Sequence, residues 1–166
     1  MNTKKLTLCA VLIALSVVLL YLSTILPTGR LTLIAIAGML PAIAVISGGL
    51  KPGFLVYLAT SLLGLILAPS GGIMYLLIFG HYPMLKQLIE RLNRLWLEWI
   101  IKIVIFNALL GIAMAFFSAI VSGFFSDSFA GPLIFIAGNI AFVIYDICFT
   151  GVIDVMVKKY GKGFKL

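Results

Sequence analysis

Long apolar runs separated by short breaks of glycine, proline and charge dominate the pattern of this chain. A bilayer core about 30 Å thick requires roughly 20 apolar residues per helix. The breaks leave six runs of about this length, which predict an all-α polytopic membrane protein. The six predicted transmembrane helices cover residues 6–27, 31–48, 53–68, 72–90, 99–121 and 132–157. We expect a single integral membrane domain, residues 1–166.

The first apolar run follows Lys4 and Lys5, an arrangement that a secretory signal peptide would share. The run from Leu6 to Leu26 is longer than the apolar region of a signal peptide, and no small-residue cleavage motif closes it. We therefore expect residues 6–27 to be a retained first membrane helix.

One stretch, residues 87–99, has a strongly amphipathic pattern. Apolar side chains recur in it at helical spacing, and charged or amide side chains fill most other positions. Trp96 and Trp99 have side chains that favour the headgroup region of a bilayer. The pattern predicts an amphipathic helix that lies in the membrane interface between the fourth and fifth spans.

The charged residues indicate which side of the membrane each break faces. The sequence is 63% apolar and 10% charged, with a formal net charge of +7. Lysine and arginine concentrate in short cytoplasmic loops. Six spans place eleven of the twelve basic residues on one side and Arg30 alone on the other, whereas five spans would move one basic terminus outside. We therefore expect a multi-pass cell-membrane protein with both termini in the cytoplasm, and no binding to nucleic acid.

The sequence lacks the residue sets of common active sites. It contains one histidine and two cysteines, and it has no HExxH motif and no glycine-rich phosphate loop. We therefore predict no enzyme activity, no catalytic residue, no metal and no other cofactor. An intramembrane enzyme acting on lipid is disfavoured, because no pair of nucleophile and base is visible.

Ionisable residues within a membrane span are expensive in free energy and are therefore functional candidates. Asp146 lies well inside the sixth span, and Lys86 and Lys102 have a similar expected depth. Two interpretations of these buried ionisable residues are open. Asp146 can form a structural ion pair with a lysine, which the matching depth favours, or it can be a substrate or proton site.

A second candidate lies in residues 80–83 of the fourth span, where Gly80 and Pro83 flank His81 and Tyr82. Proline removes a backbone donor and bends a helix, whereas glycine permits close helix approach. A bent helix that carries these two side chains is a plausible wall for a ligand. The alternative is a histidine bonded to a neighbouring helix in an inert span.

Polar side chains in the external half are candidates for binding a substrate. Asn139 lies two turns from Asp146 on the same face of the sixth span and nearer the external side. Arg30 can attract an anionic substrate, or it can extend to lipid headgroups, as arginines often do. Tyr21 and Tyr75 are the other polar side chains that we expect to contribute to such a pocket.

Two segments resemble those of a known transporter family. Residues 4–7, Lys-Lys-Leu-Thr, are followed by the small pair Ala10 and Ala14, and residues 46–53 form a short break of glycine, proline and lysine. Together with six spans and this length, both segments are similar to the substrate-binding S components of energy-coupling factor (ECF) transporters.

The resemblance implies a subunit that binds a vitamin, a precursor or a metal chelate. It implies that Ala10 and Ala14 pack on a transmembrane coupling subunit, that an ATPase pair supplies energy, and that the subunit tumbles in the membrane to release its ligand inside. The pocket would lie in the external half, beneath loops that hold Arg30, Ser70 and Asp127.

A second class of function remains open from the sequence. A non-transporting assembly or regulatory subunit would use residues 87–99 to meet a partner protein or the cytoplasmic leaflet. Association with an ATPase distinguishes the transporter from this alternative.

Overall fold

A computed structural model describes residues 3–26, 28–90, 94–120 and 130–160. In chain order its elements are α1 (Thr3–Ile25), α2 (Arg30–Gly48), α3 (Leu50–Leu67), α4 (Pro69–Met74), the π-helical stretch Tyr75–Phe79, α5 (Tyr82–Glu90), α6 (Leu95–Ile120) and α7 (Ala130–Tyr160). These ranges contain no β-strand, which confirms the prediction of an all-α fold.

Five helices are long and apolar enough to cross a membrane. They are α1, α2, α3, α6 and α7, whose apolar spans are 18 to 26 residues long. Many large apolar side chains lie exposed on these helices, as lipid-facing positions require. The five helices confirm the prediction of several membrane-spanning helices, whereas the count of six spans stays a prediction.

The predicted fourth span, residues 72–90, is not one continuous α-helix. α4, the π-helical stretch and α5 follow one another, and Gly80 and His81 form a turn before α5. The Gly80 amide donates a hydrogen bond of 2.7 Å to the carbonyl oxygen of Tyr75, five residues earlier. An α-helical amide bonds to the fourth preceding residue, so this bond to the fifth is π-helical. It interrupts the α-helix immediately before the bend expected from residues 80–83.

The predicted interfacial helix, residues 87–99, is divided in the structure. Its first four residues belong to the end of α5, and Leu95 begins α6. Residues 91–93 lie outside the described residues. Trp96 and Trp99 are exposed near the start of α6. A separate helix in the membrane interface therefore stays a prediction.

Glycines allow two backbones to approach closely inside the bundle. A Cβ atom on Gly72 of α4 would lie 2.5 Å from the carbonyl carbon of Gly64 in α3. A Cβ atom on Gly38 of α2 would lie 2.6 Å from the Cβ atom of Phe79 in the π-helical stretch. Small residues at such crossings are typical of membrane helices that pack backbone against backbone.

The helix termini define two ends of the bundle. Leu31 of α2 borders the same space as Met114 of α6 and Ile134 of α7, so α2 and α7 begin and α6 finishes at one end, which we call the Arg30 end. The start of α1 and the end of α2 lie at the other, which we call the Lys5 end, because Lys5 packs beside Gly48. The charge pattern predicts that the Arg30 end is external.

Candidate functional site

Four charged side chains meet between α5, α6 and α7, and we call them the ion cluster. Lys86 Nζ lies 2.7 Å from Asp146 Oδ1 and 2.7 Å from Glu90 Oε1. Lys102 Nζ lies 3.1 Å from Asp146 Oδ2 and 3.4 Å from Glu90 Oε1. With all four groups ionised, two positive and two negative charges cancel.

Most of the ion cluster is buried. Lys86 is 2%, Asp146 is 3% and Lys102 is 5% exposed. The Tyr82 hydroxyl donates a hydrogen bond to Asp146 Oδ1, and Lys86 Nζ donates one of 2.8 Å to Thr150 Oγ1. A single charge at the centre of a membrane helix costs about 2.5–3.5 kcal/mol on insertion scales. Of the two interpretations of Asp146, these contacts favour the structural ion pair.

Three aromatic rings lie one helical turn from the ion cluster, toward the Arg30 end. The rings of Phe106 and Phe142 are stacked with centroids 4.3 Å apart, and Tyr82 meets Phe142 edge to face at 5.5 Å. We call these three rings the aromatic layer. Each lies four residues from a member of the ion cluster: Tyr82 from Lys86, Phe106 from Lys102, and Phe142 from Asp146.

A cavity of about 460 Å³ lies beyond the aromatic layer, toward the Arg30 end. It is bounded by the start of α2, the end of α4, the π-helical stretch, the first residue of α5, and the facing sides of α6 and α7. Its wall includes Leu31, Met74, Ala113 and Gly138, and its lining side chains are apolar apart from two tyrosine hydroxyls. Small-molecule sites span roughly 300–1,000 Å³ and are mostly apolar, so this cavity has the size and character of one.

The two tyrosines of the cavity wall differ in what their hydroxyls contact. The Tyr82 hydroxyl donates its hydrogen bond to Asp146 Oδ1. The Tyr145 hydroxyl is buried and has no hydrogen-bond partner within the described ranges. The Tyr145 ring is held edge-on to Phe79, with centroids 5.4 Å apart, and stacked on Phe149 at 5.8 Å. Tyr145 thus contributes a fixed ring to the cavity wall, and its hydroxyl is buried within the protein.

Asn139, predicted to bind substrate, pairs instead with Asn107 across α6 and α7. Two reciprocal hydrogen bonds of 2.9 Å join the two side-chain amides. Asn139 Nδ2 also donates a hydrogen bond of 2.8 Å to the carbonyl oxygen of Phe135. Both amide donors and the amide oxygen of Asn139 are therefore in use. Its contacts indicate helix pairing, and it is not part of the cavity wall.

Three other predicted substrate-binding residues lie away from the cavity. Tyr21 is 51% exposed on α1, and Arg30 is exposed, with its Nε donating to the carbonyl oxygen of Leu26 at 3.3 Å. Tyr75 is fully buried in an apolar core between α1, α2 and the α3–α4 connection. Asp127, expected in a loop over the pocket, lies outside the described residues.

His81 and Tyr82 are adjacent in sequence but have different surroundings. Tyr82 lies in the wall of the cavity, and its role beside a ligand stays a prediction. The His81 ring lies edge-on to Tyr57, with centroids 6.4 Å apart. His81 also lines a separate space of about 20 Å³ beside Lys102, which is enough for one water molecule.

Ala10 and Ala14 lie four residues apart on α1, and both are exposed. Small residues at this spacing form a shallow surface that another helix can approach closely. The predicted partner-binding positions are therefore accessible on the described part of the chain.

The sequence analysis did not identify Tyr145, Phe106 or Phe142 as site residues. For Phe106 and Phe142 the available signal was a spacing of four residues from Lys102 and Asp146, which places each pair on one helix face, whereas no such spacing marks Tyr145. Aromatic residues are common in membrane helices. This spacing therefore indicates a site only when α5, α6 and α7 are known to pack together. Within the described residues, no group of three histidine, cysteine or acidic side chains is arranged to hold a metal ion.

Comparison with known proteins does not place the chain in a family. No protein-family model, no curated protein and no solved structure matches it. The function is therefore inferred from the residues and contacts of the chain itself.

Proposed function

We propose that this chain is the substrate-binding membrane subunit of an uptake system for a small molecule. Separate coupling and ATPase subunits energise the uptake, as in the ECF transporters that its sequence resembles. The chain lies in the cell membrane with both termini in the cytoplasm and the Arg30 end outside. The apolar cavity of about 460 Å³ is the observation that carries this proposal.

The position of the cavity suits a binding subunit better than a channel. Leu31 and Met74 place part of its wall near the Arg30 end. The aromatic layer and the ion cluster lie between α5, α6 and α7 on the opposite side, with a space of about 20 Å³ beside Lys102. Within the described residues, a ligand that enters from the Arg30 end therefore meets these packed side chains before it reaches the Lys5 end. Its release on that side requires movement of this subunit or of a partner.

Under this proposal, ATP hydrolysis takes place on another subunit. Its 166 residues contain no phosphate-binding loop of the P-loop type. The exposed pair Ala10 and Ala14 offers a surface on which a helix of a coupling subunit can pack. This surface supports the association with a coupling subunit that the resemblance implies.

We expect the chain to co-purify with a polytopic coupling subunit and an ATPase pair when it is isolated from its native membrane in mild detergent. Ala14→Phe should reduce their recovery severalfold, because a benzyl group would keep a partner helix from close approach. Quantitative mass spectrometry of the eluted proteins measures the recovery.

The matched control is Ala108→Phe, which places the same bulk at an exposed position of α6. It should leave the recovery unchanged. A native complex without any ATPase would contradict the transport proposal, and a different membrane partner in its place would favour the assembly subunit.

A further inference from the structure

We infer that α6 and α7 move together as one pair, which pivots at the ion cluster and thereby widens and narrows the cavity at the Arg30 end. This inference goes beyond the proposed function, because the movement belongs to the chain itself and requires no ligand. If the proposed function holds, the same movement admits the ligand to the cavity.

Three neighbouring contacts join α6 to α7 near the middle of both helices. The rings that these two helices contribute to the aromatic layer are stacked, with centroids 4.3 Å apart. Asn107 and Asn139 exchange two hydrogen bonds of 2.9 Å. Next to them, a Cβ atom on Gly138 would lie 3.1 Å from Leu110 Cδ2. Amide hydrogen bonds and small residues at a crossing hold membrane helices together, so we expect α6 and α7 to move together.

The ion cluster attaches this pair to the rest of the bundle. Lys86 of α5 contacts Asp146 of α7, and Glu90 of α5 contacts Lys102 of α6. Removing one partner of a buried ion pair costs about 3–5 kcal/mol, whereas apolar surfaces can slide past one another without leaving a charge unpaired. The ion cluster is therefore the point about which a movement of the pair disturbs the fewest strong contacts.

Two spaces border the pair between the ion cluster and the Arg30 end. The cavity lies between Leu31 of α2 on one side and Ala113 of α6 and Ile134 of α7 on the other. A second space of about 380 Å³ is bordered by Leu109 of α6 and Tyr57 of α3. Because these spaces lie on different sides of α6, this half of the pair has room to move that the ion cluster lacks.

α6 and α7 are also the least buried of the five described helices that can span the membrane. In an 18-residue window of each span, 17% of the residues are buried in α6 and in α7, compared with 28% in α1, 33% in α3 and 44% in α2. Segments with few buried contacts open at a low cost in free energy. The first three helices thus form the fixed part of the bundle, against which the pair moves.

Distances between spin labels on the full chain in lipid nanodiscs test this movement. Ile66 and Ile136 are exposed on α3 and α7 in the half near the Arg30 end, whereas Phe54 and Val155 are exposed on the same two helices toward the Lys5 end. Nitroxide labels are attached to cysteines introduced at each pair of positions. We expect the distance distribution of the Ile66–Ile136 pair to be roughly twice as broad as that of the Phe54–Val155 pair. Double electron–electron resonance measures both distributions.

A third labelled pair shows whether α6 accompanies α7. Ile112 is exposed on α6, and the Ile112–Ile136 pair shares one label with the first pair. Its distribution should be as narrow as that of the Phe54–Val155 pair, which also excludes mobility of the shared label as the cause of the breadth. Cys9 and Cys148 are replaced by alanine in every sample, so that labels attach only at the introduced cysteines.

Equal widths for the Ile66–Ile136 and Phe54–Val155 pairs would overturn the pivot at the ion cluster. An Ile112–Ile136 distribution as broad as that of the Ile66–Ile136 pair would overturn the common movement of α6 and α7. Either result would leave the proposed function standing, because binding of a ligand in the cavity is measured separately.

Discussion

Replacement of Asp146 by asparagine is expected to lower the free energy of unfolding by about 3–5 kcal/mol, the usual effect of removing one partner of a buried ion pair. Asparagine keeps the shape of the side chain but removes a negative charge that lies 2.7 Å from Lys86 Nζ and 3.1 Å from Lys102 Nζ. Both ammonium groups would then depend on Glu90, whose side chain is 42% exposed. Equilibrium unfolding in mixed micelles of mild detergent and dodecyl sulfate measures the change.

Two further variants show whether charge is the cause. Asp154→Asn makes the same substitution at an exposed position two turns farther along α7, and it should change stability by less than about 0.5 kcal/mol. Adding Lys102→Met to Asp146→Asn removes the excess positive charge and should recover part of the loss. An Asp146→Asn protein as stable as wild type would mean that the ion cluster does not hold α5, α6 and α7 together.

Replacement of Gly72 by alanine is expected to destabilise the fold by about 1–3 kcal/mol or more, the typical effect of overpacking. The new Cβ atom would lie 2.5 Å from the carbonyl carbon of Gly64 and 2.6 Å from the amide nitrogen of Leu65. These are backbone atoms of α3, so no side-chain rotation can relieve the clash. α4 would have to move away from α3. Thermal unfolding in detergent micelles reports the loss.

Gly111→Ala provides the control for the helix propensity of alanine. A Cβ atom on Gly111, within α6, would meet no atom within 4 Å. Alanine is favoured over glycine inside a helix by about 0.5–1 kcal/mol, so this variant should be as stable as wild type or more stable. If Gly72→Ala behaves like Gly111→Ala, α3 and α4 do not pack as closely at Gly72 as these distances require.

The sequence predicted most of the helices because hydropathy reports directly which segments a membrane can hold. The predicted spans 31–48 and 99–121 lie close to α2 and α6, and each begins or ends at charge, glycine or proline. The fourth span differs, since hydropathy records composition and is insensitive to hydrogen-bond register. Nothing in residues 75–79, Tyr-Leu-Leu-Ile-Phe, distinguishes a π-helical stretch from an ordinary apolar turn.

The sequence identified a residue of the candidate site when that residue was unusual by itself. It did not reveal the role of a residue when that role depends on pairing between helices. Asp146 is conspicuous in an apolar run, and its similar depth to Lys86 and Lys102 indicated its partners. Asn139 is equally conspicuous, but its role depends on Asn107 of the neighbouring helix. Tyr145 resembles any aromatic residue of a membrane helix until a cavity is found beside it.

The proposed function depends on one claim, that the cavity between α2, the π-helical stretch, α6 and α7 holds a small molecule. Native mass spectrometry of the protein purified from its own membrane tests this claim whatever the identity of the ligand. Ala113 is buried in the cavity wall, so Ala113→Phe places a benzyl group in the space that a ligand needs. Ala108→Phe adds the same group on the exposed side of α6.

We expect wild type and Ala108→Phe to retain a bound molecule lighter than a membrane phospholipid, and Ala113→Phe to have lost it. Retention of the same molecule by all three proteins, or its absence from a wild-type protein that remains folded, would contradict a ligand site in this cavity.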